Sequence, residues 1–121
     1  MNLRTFNIYD DRRPEEGVRI ATVRHLPRGL RKEDRKFDVW LPILAPSVGL
    51  LNTLKEKGSA TPAFFRRYRA EMKKPDPRHV IELLAAIAVK TRVSIGCHCQ
   101  DKSQCHRSVL EELIRGAGND E

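Results

Sequence analysis

Apolar and polar positions along this chain change their period several times, and each change coincides with Pro, Gly or paired acidic residues. Leu3 to Tyr9 carries β-branched and aromatic residues up to Asp10-Asp11, and Val18 to Val23 resumes that pattern after the turn-forming Pro14-Glu15-Glu16-Gly17; two strands are predicted. Periodicity then stops. Arg24-His25-Leu26-Pro27-Arg28-Gly29 reads as a charged loop, because Pro27 fixes its own φ and Gly29 permits the positive φ of a tight turn. Asp38-Val39-Trp40-Leu41 and Leu44-Ala45-Pro46-Ser47 are expected to pack on the core, with Ser47 capping a short helix that runs through Lys55 and stops at Gly58.

Thr61-Pro62 predicts a second helix start, since the hydroxyl accepts an orphan amide bond and Pro loses nothing in the first turn; this helix extends to about Met72. Asp76-Pro77 repeats the device, followed by Val80, Ile81, Leu83, Leu84, Ile87 and Ala88 at helical spacing. Arg92 to Cys97 reads as a buried strand, and Ser103 to Gly116 as a last helix with Val109, Leu110, Leu113 and Ile114 inward. This order of strands and helices predicts an α/β fold: a single small three-layer domain over residues 1–121, with a mostly parallel central sheet and flanking helices.

The chain is 121 residues long, with 40% hydrophobic and 32% charged positions, which excludes disordered, collagenous and membrane-spanning compositions. No apolar leader with a cleavage site opens it, and its three cysteines are too few and too clustered to staple a domain, so a cytoplasmic protein is expected. The net charge of +7 is unevenly spread: residues 1–74 hold 17 basic and 9 acidic side chains, residues 75–121 hold 6 and 7. Any surface that attracts polyanions therefore belongs to the first two-thirds.

Chemistry concentrates in Cys97-His98-Cys99-Gln100-Asp101-Lys102-Ser103-Gln104-Cys105-His106-Arg107-Ser108, between the last predicted strand and helix. In open α/β sheets that edge usually binds ligands. Three uses follow. The amides opening the final helix, with Arg107 and Ser108, would hold a phosphate or carboxylate. Cys99 or Cys105 would serve as a thiolate nucleophile activated by the helix terminus and a neighbouring imidazolium or guanidinium. Cys97, Cys99, Cys105 and His106 also supply the donor number that zinc takes, although their spacing departs from structural zinc motifs and no metal ligand is assigned. Plain packing is the competing reading: Cys97 as a small buried hydrophobe, His106 against a carbonyl, and Arg28 holding its own loop.

Four ordered motifs, Arg24-x-x-Pro27-Arg28-Gly29-Leu30, Asp38-x-Trp40-Leu41-x-x-x-Ala45-Pro46-Ser47, Phe65-Arg66-Arg67-Tyr68 and Cys105-His106-Arg107-Ser108, resemble the YeaO-like proteins of the domain-of-unknown-function 488 family. The resemblance spans nearly the whole chain. It implies a small α/β domain without assigning an activity, and it singles out Arg24, Arg28, Trp40, Tyr68, Cys97, Cys105, His106 and Arg107. Members often carry Trp before Pro-Arg-Gly, where this chain has Leu26, and an acidic residue two after the strand-end Cys, where it has Cys99.

The two loops share a logic. Should the strands Val18–Val23 and Val93–Cys97 run parallel, Arg24, Arg28, His106 and Arg107 converge at one rim. The leading expectation is a small anionic or phosphate-bearing ligand, a nucleotide or nucleic acid, held by Arg24, Arg28, Arg107 and Ser108, with no cofactor and no membrane partner. The alternative is a thiol-dependent enzyme, with Cys105 or Cys99 as nucleophile and His106 or His98 as proton-transfer partner, in sulfur, acyl or phosphoryl transfer. A protein-interaction module is the third class.

Overall fold

The computed structural model describes residues 1–98 and 105–118. Strands β1 (Leu3–Asn7), β2 (Val18–Ala21), β3 (Val39–Trp40) and β4 (Val93–Cys97) form one parallel sheet in the order β1-β4-β2-β3. Both predicted N-terminal strands end two residues early. The helices are α1 (Val48–Lys57), α2 (Pro62–Met72), α3 (Pro75–Lys90) and α4 (His106–Gly118), so the fold is α/β with a parallel sheet. None is long and apolar enough to cross a membrane.

Local signals explain the helix ends. The Ser47 hydroxyl accepts from Leu50 N and the Thr61 hydroxyl from Phe64 N, while Gly58 takes the left-handed φ of 78° that closes α1. Glu71 of α2 accepts from both the amide and the hydroxyl of Ser47, tying α2 to the start of α1. The third helix departs from expectation. It begins at Pro75, so Asp76 lies in its first turn and Lys74 occupies the cap without a side-chain bond; Pro75 already supplies the φ and missing N–H that suit the first position.

Register decides the two faces. Leu3, Val93 and Val18 align, as do Phe6, Gly96 and Ala21, so alternate residues sort to opposite sides. Leu3, Ile20, Val93 and Ile95 share one apolar cluster with Leu50, Phe64, Tyr68, Leu84, Leu110 and Ile114, drawn from all four helices. On α3 the buried stripe is Ile81, Leu84, Ala85 and Ala88. Leu83 is exposed, contrary to expectation, because it projects well away from that stripe.

The opposite face is covered by irregular chain, which forms the third layer. There Phe6, Ile8 and Ala21 pack with Phe37, Leu26 and Leu30. β1 and β2 are parallel and both pair with β4, so residues 8–17 must carry the chain back along the strand direction. Arg19, completely buried on this face, donates to the carbonyls of Asp10, Asp11 and Lys36, pairs with buried Glu16 at 2.9 Å, and lies 4.4 Å over the Phe6 ring.

At the margin of this layer Arg12 forks onto both oxygens of Asp38 at 2.8 Å, and Arg19 N donates to the same carboxylate. The hydrogen bond from Arg12 holds the Asp38 carboxyl below its usual value. A carboxylate so depressed contributes stability above its unfolded pKa, near 4, and that contribution is lost as pH falls through the lower folded value. Asp38→Asn should cost about 0.5–1 kcal/mol at neutral pH, discounted for a half-exposed pair. In urea titrations the gap from the parent should close in acid; a gap that is constant with pH contradicts the assignment.

Candidate functional site

The C-terminal ends of β2 and β4 lie side by side, as the convergence argument requires. Thr22 extends that pairing by one residue, its amide donating to Gly96 O at 2.8 Å and its hydroxyl to the same carbonyl at 3.1 Å. From these ends the chain enters Val23-Arg24-His25 on one side and Cys97-His98 on the other, while Cys105 immediately precedes α4. Together they open onto a cavity of about 300 Å³. Val23, Pro46, Leu51, Leu54 and Phe64 supply its apolar wall, and Arg24, His25, Lys55 and His98 its basic side chains; among the described residues no Asp or Glu lines it.

Burial grades this cavity. His25, Lys55 and His98 are exposed and Arg24 is half-buried, whereas Cys97, Cys105 and His106 at the floor are buried. Arg24 is held rigidly: its Nε and Nη2 donate to the carbonyls of Pro46 and Ala45, both at 3.1 Å.

His106 is fixed in a definite tautomer. Its Nε2 lies 2.8 Å from the Thr22 carbonyl oxygen, which can only accept, so Nε2 carries the proton. The Thr22 hydroxyl is 3.3 Å from the same nitrogen. In the neutral ring Nδ1 then bears the lone pair, and it faces Cys105 Sγ at 3.7 Å. The imidazole also meets the edge of Tyr68, ring centroids 5.3 Å apart and planes at 69°. Tyr68 donates its hydroxyl to Leu44 O at 2.6 Å. Burial first, then the neighbouring Cys105, Glu71 and Cys97, push its phenol well above the ordinary value, so it remains a donor.

The remaining sequence candidates separate. Arg24, Cys97, Cys105 and His106 meet at the cavity, joined by His98. Arg107 does not line it: the side chain is buried and Nη1 donates to Phe6 O at 2.7 Å, fastening α4 to the end of β1. Arg28 is exposed on its loop, outside the lining, and Ser108 donates its hydroxyl to Cys105 O at 3.0 Å, closing the turn that starts α4. Trp40 is half-exposed on edge strand β3, bonded through Nε1 to Val23 O at 2.7 Å, not deep in the core. Cys99 lies outside the described residues, and among those residues no group of three or more His, Cys, Asp and Glu is placed to hold a metal.

Sequence reasoning missed Thr22, His25 and Lys55. Thr22 acts through its backbone carbonyl, which no side-chain motif reports. Lys55 reaches the cavity only because α1 packs beside it.

The family described as the active DUF488-N3 subclade matches residues 3–118. An uncharacterized protein, Rv3073c of Mycobacterium tuberculosis, is 27% identical over 114 residues, covering 94% of each chain. The uncharacterized protein YeaO of Escherichia coli is 28% identical over 115 residues, covering 95% of this chain and 98% of YeaO. No solved structure matches the chain.

Proposed function

We propose that this chain, which belongs to the active DUF488-N3 subclade, binds a small phosphate-bearing ligand with an apolar body in the cavity between the β2 and β4 ends. One observation carries the reading: the cavity sets four basic side chains, Arg24, His25, Lys55 and His98, around an apolar wall, with no acidic residue in the lining among the described residues. The guanidinium of Arg24 and the ammonium of Lys55 beside a low-dielectric wall attract an anion more strongly than the same charges on an open surface, and the two imidazoles add hydrogen-bond donors. A volume of about 300 Å³ sits at the small end of ligand pockets. That size favours a phosphate ester of mononucleotide dimensions or less over a nucleic-acid duplex. Arg24 contributes a pre-oriented guanidinium, since two of its nitrogens are already committed to carbonyls.

Calorimetric titration with phenyl phosphate tests this. Binding should weaken with added salt, and phenol should bind far less well. Lys55→Gln, which removes an exposed cation of the lining, should weaken phenyl phosphate roughly tenfold, equivalent to ~1.4 kcal/mol, while lowering the melting temperature by no more than a few degrees, since Lys55 lies in the last turn of α1. No affinity for phenyl phosphate at low salt, or equal affinity for phenol, sinks the reading.

A further inference from the structure

We infer that Cys105 is a nucleophile, with His106 as its general base, acting on an ester whose acyl group enters the apolar floor while a phosphate on the same molecule rests among the basic side chains of the rim. The inference rests on the anion-binding reading for its substrate class. Its chemistry rests on a different observation, the Cys105–His106–Thr22 arrangement.

The geometry has the three parts that nucleophilic catalysis requires. A thiol lies within reach of a base, Sγ to Nδ1 at 3.7 Å. A third group orients that base: the Thr22 carbonyl binds Nε2 and fixes the lone pair on the side of the sulfur. The sulfur also lines a cavity large enough for a substrate. A histidine needed only for packing could satisfy Thr22 with either face of its ring toward any neighbour, yet here the remaining nitrogen meets a thiol. Thr22 and Tyr68 are positioning residues, since they hold the imidazole by its Nε2 and by a T-shaped ring contact.

The surroundings of the sulfur select carbon over phosphorus as the reacting atom. Cys105 packs with Val23 and Cys97, and Leu26 lies against the same cluster. A phosphate dianion forced against that wall would lose hydration with only Val23, Cys97 and Leu26 around it among the described residues, whereas the basic side chains of His25, Lys55 and His98 are exposed and Arg24 is half-buried. A neutral acyl group fits the floor, and the charge remains outside. In the first step the thiol proton moves to Nδ1, an S–C bond forms at the acyl carbon, and the ester C–O bond breaks. The departing alcohol takes the proton from Nδ1. Water, deprotonated by the same nitrogen, then adds to the thioester, releasing a carboxylic acid and returning the proton to sulfur. No electrons are exchanged with a further reactant.

Among the described residues, the ionisable and charged groups around the pair are Tyr68 of α2, Cys97 of β4, and Arg24, His25, Lys55 and His98 of the lining. A pH profile of the reaction therefore reports the whole set, and variants must isolate the pair.

The test uses the full chain with 4-acetoxyphenyl phosphate, and with phenyl acetate as the phosphate-free comparison. Mass spectrometry should find an acetyl group on Cys105, formed roughly ten times faster from the phosphate-bearing ester. Cys105→Ser should abolish that adduct. His106→Gln keeps an amide donor for the Thr22 carbonyl but places no base beside the sulfur, so acetylation should fall ~100-fold or more. Both variants should keep the parent's circular dichroism spectrum and cooperative urea unfolding, which shows that they fold. Acetylation of Cys97 in place of Cys105, or an undiminished rate in His106→Gln, overturns the nucleophile assignment while phenyl phosphate binding stands. Equal rates for the two esters overturn the substrate class.

Discussion

Replacing Arg19 with methionine should lower the unfolding free energy by about 3–5 kcal/mol, the usual cost of removing one partner from a buried ion pair. Domains of this kind have only about 5–15 kcal/mol in total, so the variant should be poorly folded at 37 °C. The size follows from what Arg19 leaves behind. Glu16, itself buried, accepts from Arg19 Nε and pairs with Arg19 Nη2; without the guanidinium its charge loses that ion pair. The carbonyls of Asp10, Asp11 and Lys36 lose their donors at the same time. Methionine keeps an unbranched apolar stem but not the guanidinium over the Phe6 ring, so the loss is that of the charge and its hydrogen bonds. Adding Glu16→Gln should recover at least about 1 kcal/mol, because the amide oxygen still accepts from Arg13 N and no charge is stranded. Urea unfolding of the two variants decides it: a single variant within 1 kcal/mol of the parent, or a double variant no better than the single, contradicts this account.

Arg19 also marks the boundary of what the sequence makes legible. Elements whose causes are local could be read directly: Ser47 and Thr61 act within three residues, Gly58 acts at its own φ, and the spacing of Ile81, Leu84 and Ala88 repeats with the helix. Arg19 acts on carbonyls 8, 9 and 17 residues away, and no period encodes that. The same holds at the site. The neighbouring Cys105 and His106 announce their chemistry, and the parallel pairing of β2 with β4 brings Arg24 to them as expected. Arg107 looks equivalent to Arg24 by charge and motif. Helical rotation instead turns it from the cavity toward β1, where Phe6 O accepts from it. Charge in a motif signals that an anion or carbonyl is needed, while the fold alone decides which of the two is supplied.

Gly96→Ala should cost about 2–3 kcal/mol, the range for forcing atoms into a filled core, and should also lower the reactivity of Cys105. Gly96 sits in the middle of the sheet, paired with Phe6 on one side and Ala21 on the other. A Cβ there would stand 2.5 Å from Phe6 O and 2.8 Å from the Phe6 ring, so β4 or β1 must shift. The shift cannot stay local. Gly96 O receives both the amide and the hydroxyl of Thr22, and the Thr22 carbonyl in turn fixes His106 Nε2. Displacing β4 thus loosens the imidazole that faces Cys105 Sγ, at a distance where a shift of about 1 Å in a catalytic group costs on the order of 100-fold in rate. Gly49→Ala is the matched control, because Gly49 lies in α1 with nothing near its added methyl; it should stabilise by roughly 0.5–1 kcal/mol and leave Cys105 unchanged. Iodoacetamide labelling of Cys105, measured beside unfolding curves for both variants, separates the outcomes. Gly96→Ala protein that labels at the parental rate would show that the strand carries no positional information to the thiol.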